Sequence, residues 1–304
     1  MATLVLRLRA AKAADAGGDK TGMRRVLLTK HLSHGREDMD VFGFRAARRP
    51  VLVSLPHVGT ALPDGFIGRL VPEAQGLPDT DWHLPRLYDF LEELGVGVIQ
   101  ARFSRYVVDL NRPSNDTPLY SGATTGLCPT TLFDGAPLYQ PGAEPDAAEV
   151  AERVACYWAP YHDAITAEMT RLRDRFGRAV LFDAHSIRSV VPRLFEGRLP
   201  DLNIGTNDGR SADPVLGDRL VAVGADAGAD GFTHVLNGRF KGGHITRHFG
   251  RPSEGWHAVQ LEMAQVTYME EDAPFAFDEA RAARIRPHLR RFIGVMADWA
   301  EEQA

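Results

Sequence analysis

Short apolar runs alternate with helix-like segments along most of this chain, and that alternation constrains the fold more than any other feature. The runs at residues 51–55, 179–183 and 258–262 have the length and composition of buried strands. Segments with a helical spacing of apolar residues lie between them, as in βαβ units. The sequence therefore predicts an α/β domain with a central sheet.

Other elements follow from capping, turn and helix-breaking residues. Additional strands are predicted at residues 95–101 and 106–110. Helices are predicted at residues 82–94, from Asp146 to Gly177 with a kink at Pro160, at residues 214–223 and at residues 278–300. The stretch 113–145 is rich in Gly, Pro, Thr and Asn without a clear period, which for its length indicates a functional loop.

Charge and cysteine content argue against several classes of protein. The 304 residues carry a formal net charge of -5, which gives no general attraction to nucleic acid or to an anionic membrane. Cys128 and Cys156 have no paired spacing, so neither a disulfide framework nor a thiolate metal site is indicated. No apolar run approaches the length of a membrane span. We expect a cytoplasmic protein whose partner is a small molecule.

The first 49 residues differ from the remainder. They hold eleven Lys and Arg against five Asp and Glu, and they show no sustained period. We predict a loosely structured extension at residues 1–38 and one domain at residues 39–304. A basic arm that binds a partner is the alternative interpretation of the extension.

Histidines follow two of the apolar runs. His57 comes two residues after the first run and His185 two residues after the second, each beside small residues. Strand ends in an open α/β sheet converge on one crevice, so we expect the two side chains to share a site. A catalytic zinc keeps three ligands from His, Asp or Glu and an open position for water, which makes both histidines candidate ligands. Structural histidines held by hydrogen bonds are the alternative.

The candidate third ligand is Asp81, which lies in the turn-like run Asp79-Thr80-Asp81. Its alternative role is to cap the helix that follows, where a carboxylate would accept hydrogen bonds from free backbone N–H groups. The residues alone leave both roles open.

An acid within an apolar run and an Asn-Arg pair after another run are further candidates for the site. Glu262 is an acid within an apolar run, and because burial raises the pKa of a carboxyl group, it is a candidate general base. A structural acid paired with an arginine is the alternative. Asn111 and Arg112 can hold an amino-acid carboxylate through a guanidinium fork and an amide, or they can form a solvated salt bridge at a strand end.

Seven stretches together resemble the N-formylglutamate amidohydrolase family, also called N-formylglutamate deformylases. They are SLPHVGT, DTDWHLPRLY, SRYVVDLNR, FDAHSIRS, LNIGTNDG, FKGGHITRHFG and VQLEMAQ. Their lengths and order make the resemblance specific from Val51 to about Met296, and the first forty or so residues match nothing in the family. The resemblance implies a phosphorylase/hydrolase-like three-layer α/β/α sandwich with a mixed central sheet. It also implies a zinc-dependent amide hydrolase of histidine degradation.

The resemblance extends to the zinc carboxypeptidases and aspartoacylases, in which a His-x-x-Glu pair and a distant His hold the metal. His57 and His185 match the histidines, and the implied cofactor is one Zn²⁺ per chain. Thr60 stands where that wider superfamily places Glu, so the resemblance leaves the assignment of Asp81 open.

Roles for other residues are implied in the same way. Glu262 matches the catalytic glutamate, and Arg105 matches the arginine that polarises the carbonyl group. Asn111 and Arg112 match the carboxylate clamp. N-formylglutamate carries a second carboxylate, for which the candidates are Arg188 and Arg247, each in a matching stretch.

The implied reaction is the hydrolysis of N-formyl-L-glutamate to formate and L-glutamate. One alternative is a zinc amidohydrolase for another N-acylated acidic amino acid. The other is a catalytically silent carboxylate-binding protein with the same fold.

Overall fold

The computed structural model describes residues 40–119, 122 and 124–302, so the predicted extension at residues 1–38 lies outside the described residues. A seven-stranded sheet forms the centre of the molecule. Its strands are β1 (Phe42–Arg45), β2 (Val51–Leu55), β3 (Gly97–Ala101), β4 (Ala179–Ile187), β5 (Leu202–Gly205), β6 (His234–Leu236) and β7 (Trp256–Ala264).

The order of strands across the sheet is β1-β3-β2-β4-β7-β5-β6. The four central strands β3, β2, β4 and β7 are mutually parallel, whereas β1 pairs antiparallel with β3 and β5 pairs antiparallel with β7. The sheet is therefore mixed, as the resemblance implies. Because β2, β4 and β7 are neighbours and parallel, their carboxyl ends meet at one edge.

Helices cover both faces of the sheet. They are α1 (Leu84–Leu87), α2 (Ala147–Arg153), α3 (Ala159–Phe176), α4 (Pro214–Ala227), α5 (His244–Phe249) and α6 (Glu279–Glu301). Short 3-10 turns lie at Phe66–Arg69, Pro72–Ala74, Asp89–Leu91, Gly228–Asp230, Pro252–Glu254 and Gln265–Thr267.

Alternating side chains of the central strands explain the layers. In β2, Val51 and Val53 pack in a core with the apolar faces of α4 and α6, whereas Leu52 packs in a second core with α3 and α5. Successive strand residues point to opposite faces, so a strand that is buried along its whole length, as β2 is, has cover on both sides. The chain is a three-layer α/β/α sandwich.

Two sequence predictions of secondary structure were wrong. Residues 106–110 form turns rather than a strand, because Val107 N–H donates to the Ser104 carbonyl and Asp109 N–H to the Leu127 carbonyl. The apolar side chains of this segment divide between two clusters: Tyr106 and Val107 lie in a cluster apart from the sheet, whereas Val108 and Leu110 pack in the core with α3 and α5. The helix expected at residues 82–94 is only the single turn α1 followed by a 3-10 turn.

The long helix expected from Asp146 is present but interrupted. The Asp146 carboxylate accepts a hydrogen bond from Glu149 N–H, and Gly177 ends α3 with a left-handed φ of 78°. A π-helical turn at Val154–Trp158 joins α2 to α3 directly before Pro160. Proline has no N–H to continue the ladder, and wider turns absorb such a break. None of the helices in the described part of the chain is both long and apolar enough to cross a membrane.

Candidate active site

The carboxyl ends of three adjacent parallel strands place three of the predicted side chains together. His57 follows β2, His185 lies near the end of β4, and Glu262 in β7 stands directly opposite His185 in the strand register. All three side chains are buried and line one pocket. The convergence expected from the strand-end pattern is present.

Asp81 reaches the same place from a loop. Its backbone N–H donates to the His57 carbonyl at 3.0 Å, which ties the loop to the end of β2. The N-cap of α1 is His83, with no side-chain cap, so the carboxylate of Asp81 does not serve as the helix cap. Asp81 instead points at the two histidines.

His57, Asp81 and His185 form a compact buried group. The two Nδ1 atoms lie 3.2 Å apart, and Asp81 Oδ2 lies 3.2 Å from His185 Nδ1 and 3.7 Å from His57 Nδ1. One ligand atom from each residue lies within 4.8 Å of the others, and this group can bind a metal ion. Two imidazoles and a carboxylate are the donor set of many catalytic zinc sites.

The outer nitrogens of both imidazoles lie beside acids that the sequence analysis did not single out. His57 Nε2 lies 2.7 Å from Asp109 Oδ1, and His185 Nε2 lies 2.9 Å from Asp183 Oδ2. With a metal bound, a proton held on Nε2 by the neighbouring acid would leave the Nδ1 lone pair as the ligand, as in metal-ligating histidines generally. The residues present therefore fit a bound cation.

The electrostatics of this group favour a cation as well. Burial alone would raise the pKa of Asp81, but hydrogen bonds from His185 and His57 hold it below its ordinary value. Burial is likewise outweighed at Asp109, whose pKa is held far below the usual range by His57, Arg105 and Arg112. Both acids remain negatively charged. A metal ion between the imidazoles would be attracted by both carboxylates.

Glu262 differs from these acids. Burial raises its pKa to about 8, with the nearby charge of His185 opposing and that of Asp81 adding to the effect. Its Oε2 accepts a hydrogen bond of 3.3 Å from Gln260 Nε2, and Gln260 Oε1 accepts one of 2.7 Å from Gly243 N–H. Glu262 is therefore an oriented acid of raised pKa in the pocket wall, as a general base requires.

Arg105 lies on another wall of the pocket. Its Nη2 donates to Asp109 Oδ2 at 2.6 Å, its Nη1 lies 3.9 Å from Asp81, and its guanidinium stacks over the Phe133 ring. The pairing with Asp109 fixes the guanidinium beside the candidate metal group. Arg105 is thus placed to donate to an oxygen of a bound substrate.

Asn111 and Arg112 also line the pocket. The amide nitrogen of Asn111 lies 3.0 Å from His185 Nε2, and its Oδ1 accepts from Ile245 N–H. The guanidinium of Arg112 donates to the carbonyl of Asn111 and to oxygens of Thr124 and Thr125, all uncharged. Neither residue forms the solvated salt bridge of the alternative interpretation.

Thr124, Thr125 and Phe133, which also line the pocket, belong to the predicted functional loop.

Arg188 and Arg247 are not among the residues that line this pocket. Arg188 donates to the Glu271 carbonyl and pairs with Asp272, and Arg247 donates to the carbonyls of Gly242 and Leu119. Arg239 lines the pocket instead.

Sequence reasoning missed Asp109, Asp183 and Arg239, although weak signals existed. Asp183 stands two residues before His185, hence on the same face of β4. Asp109 lies within the stretch SRYVVDLNR, and Arg239 directly precedes FKGGHITRHFG. Neither Asp109 nor Arg239 ends an apolar run, and Asp183 is itself the last residue of the predicted strand at residues 179–183.

Replacing Asp109 with Asn should lower the affinity for the metal by ~10–100-fold, because the imidazole of His57 loses the acid that holds its outer proton. Competition with a chelator measures that affinity. Asp213→Asn, at the cap of α4, is the matched control. If Asp109→Asn binds metal as tightly as this control, Asp109 does not act through His57.

A three-layer α/β/α sandwich that carries a buried His-Asp-His group beside an oriented acid is typical of metal-dependent hydrolases. Residues 49–269 match the model of the N-formylglutamate amidohydrolase family. The chain belongs to the N-formylglutamate amidohydrolase family, as the seven stretches of sequence indicated.

Individual relatives agree with this assignment. The chain is 56% identical over 264 residues to an N-formylglutamate deformylase of Pseudomonas aeruginosa, covering 87% of this chain and 98% of that protein. It is 52% identical over 263 residues to an N-formylglutamate deformylase of Pseudomonas putida, with 86% and 98% covered. The crystal structure of N-formylglutamate amidohydrolase from Ralstonia eutropha superposes with a TM-score of 0.74 at 24% identity, covering 88% of this chain and all of that one. This last likeness concerns the fold.

Proposed function

We propose that this chain hydrolyses N-formyl-L-glutamate to formate and L-glutamate. One observation carries the proposal: an oriented acid, the two histidines of the candidate metal group and three arginines line the same pocket. The names of the two Pseudomonas relatives support the choice of substrate. A dicarboxylate suits a pocket that is lined by three arginines, Arg105, Arg112 and Arg239.

We further propose that the metal is one zinc ion per chain, held by His57, Asp81 and His185. Zinc in such a site lowers the pKa of water and polarises a carbonyl oxygen. The geometry of the group supports the proposal, because Nδ1 of His57, Nδ1 of His185 and Oδ2 of Asp81 face one another closely enough to bind one ion together.

The protein groups would divide the remaining chemistry. Glu262 takes a proton from the attacking water as the oxygen bonds to the formyl carbon, and it returns that proton to the nitrogen when the C–N bond breaks. A pKa of about 8 lets the carboxyl group accept and release a proton near neutral pH. Arg105 donates to the oxygen that becomes negatively charged. Asn111 and Arg112 hold a substrate carboxylate.

The same proposal assigns the reaction to histidine degradation and the protein to the cytoplasm. Cys128 and Cys156 are both free thiols, which suits a reducing compartment.

Metal content and formate release from the same preparation test the function. We expect roughly one zinc per chain, the stoichiometry of a single three-ligand site. We also expect faster formate release from N-formyl-L-glutamate than acetate release from N-acetyl-L-glutamate. The reverse preference would point to another acyl group. A folded, metal-free and inactive protein would favour the silent carboxylate-binding alternative.

A further inference from the structure

The pocket holds more guanidinium groups than the chemical step needs. Arg105, Arg112 and Arg239 all line it. Arg105 is paired with Asp109 at 2.6 Å beside the candidate metal group, which assigns it to the reacting carbonyl. Arg112 and Arg239 remain for the two carboxylates of an N-acylated dicarboxylic amino acid.

Arg239 sits on a segment held from two sides. Asn237, in a left-handed conformation with φ of 52°, donates its N–H to the Ile204 carbonyl and accepts at Oδ1 from Thr206 N–H. Two residues past Arg239, the Lys241 carbonyl accepts a hydrogen bond of 2.6 Å from Asn207 N–H. The backbone around Arg239 is therefore pinned to the turn that follows β5.

The guanidinium itself is also anchored. Its Nε donates to the Leu194 carbonyl at 2.7 Å, which fixes the plane of the fork. An arginine that is already held in this way loses less rotational freedom when it binds a carboxylate. Less of the favourable free energy of binding is therefore offset by lost side-chain entropy.

The surroundings of Arg239 distinguish it from Arg112. Leu194, Ile187 and Phe240 line the pocket, and the guanidinium lies over the Phe240 ring. Two methylene groups can pack on this apolar wall before a terminal carboxylate meets the cation.

Arg112 is tied to the catalytic centre instead. It donates to the Asn111 carbonyl at 3.1 Å, and the Asn111 amide nitrogen lies 3.0 Å from His185. In an N-acylated amino acid the α-carboxylate is separated from the amide nitrogen by one carbon, so it must lie close to the reacting group. This geometry suits Arg112.

We propose that Arg239 binds the side-chain carboxylate of the substrate and so makes the enzyme select acidic N-acylated amino acids, while Arg112 binds the α-carboxylate. The inference rests on the proposed function and deepens it.

The test compares N-formyl-L-glutamate with its uncharged isostere N-formyl-L-glutamine in the zinc-loaded enzyme. Arg239→Met should lower kcat/KM for N-formyl-L-glutamate by ~10–100-fold, the loss expected for a charge-assisted hydrogen bond, and change it little for N-formyl-L-glutamine. Arg112→Met should lower kcat/KM for both substrates by similar factors. Arg239→Lys should keep part of the preference, because it retains the charge without the fork. The matched control is Arg290→Met, on the exposed face of α6.

Calorimetric binding of L-glutamate and L-glutamine gives a readout that does not depend on turnover. If Arg239→Met keeps the wild-type preference for glutamate in both assays, the inference is wrong even though the enzyme is a deformylase. The assignment is also wrong if Arg112→Met removes the preference and Arg239→Met slows both substrates. If the wild type releases no formate but its glutamate binding depends on Arg239, the proposed function fails and the subsite stands. If the wild type shows neither formate release nor glutamate binding, the proposed function and the assignment of Arg239 are both wrong.

Discussion

Glu262→Gln is expected to lower kcat by ~10²–10⁴-fold, the usual cost of losing general acid–base catalysis. The amide keeps the shape of the carboxyl group but cannot take a proton from water. Substrate binding and metal content should stay near the wild-type values, because Glu262 is not a member of the His57, Asp81 and His185 group. Steady-state kinetics with metal analysis of the same sample measures all three quantities.

The matched control for this substitution is Glu254→Gln, an exposed residue in the turn before β7. It should leave kcat and KM unchanged. An equally active Glu262→Gln enzyme would mean that the raised pKa of Glu262 reflects burial alone, and that another group serves as the base.

His57→Ala is expected to lower the affinity for zinc by more than the ~100-fold that the loss of an outer-sphere partner costs, since it removes one of the three proposed ligands. Formate release should fall in parallel at limiting zinc. The removed ring also leaves Asp109 buried beside Arg105 without its partner at 2.7 Å. Thermal unfolding of the metal-free protein therefore has to be compared with that of the wild type, to separate lost metal from lost stability.

The matched control is His288→Ala, which removes a histidine of α6 that pairs with Asp230. This variant should keep full zinc content. Unchanged zinc content and activity in His57→Ala would refute the proposed ligand set. Asp81→Asn then tests the third ligand separately, because this carboxylate caps no helix. Full metal affinity in Asp81→Asn would limit the ligand set to the two histidines and another group.

Local sequence pattern was sufficient for the strands that carry the chemistry. The apolar runs that precede His57 and His185, and the run that contains Glu262, are buried on both faces, so nearly every residue in them is apolar and an isolated polar residue stands out. Because these strands are parallel and adjacent, their carboxyl ends lie together, whichever segments of the chain connect them. The short strands β1, β5 and β6 were missed, because three or four residues are too few to show a period.

Arginine roles could not be predicted equally well. Arg188 and Arg247 lie in stretches typical of the family, yet neither lines the pocket, and Arg188 donates to the Glu271 carbonyl and Arg247 to the Leu119 carbonyl. Arg239 lies outside the matching stretches and enters the pocket. Arginine side chains are long, and a few degrees of backbone rotation decide which surface the fork reaches, so their position along the chain does not fix their partner.

The sequence by itself determined the class of fold, the family, and the residues that end or interrupt the buried strands, because each depends on hydrophobic periodicity and on stretches of neighbouring residues. Tertiary structure alone decided that Asp81 faces two imidazoles rather than a helix end, and that Asp109 holds His57 from outside. It also decided that Asp81 and Asp109, although buried like Glu262, have a lowered rather than a raised pKa. Each of these outcomes depends on how far a carboxylate is buried and which donors surround it in space, and residues remote in the chain supply those donors.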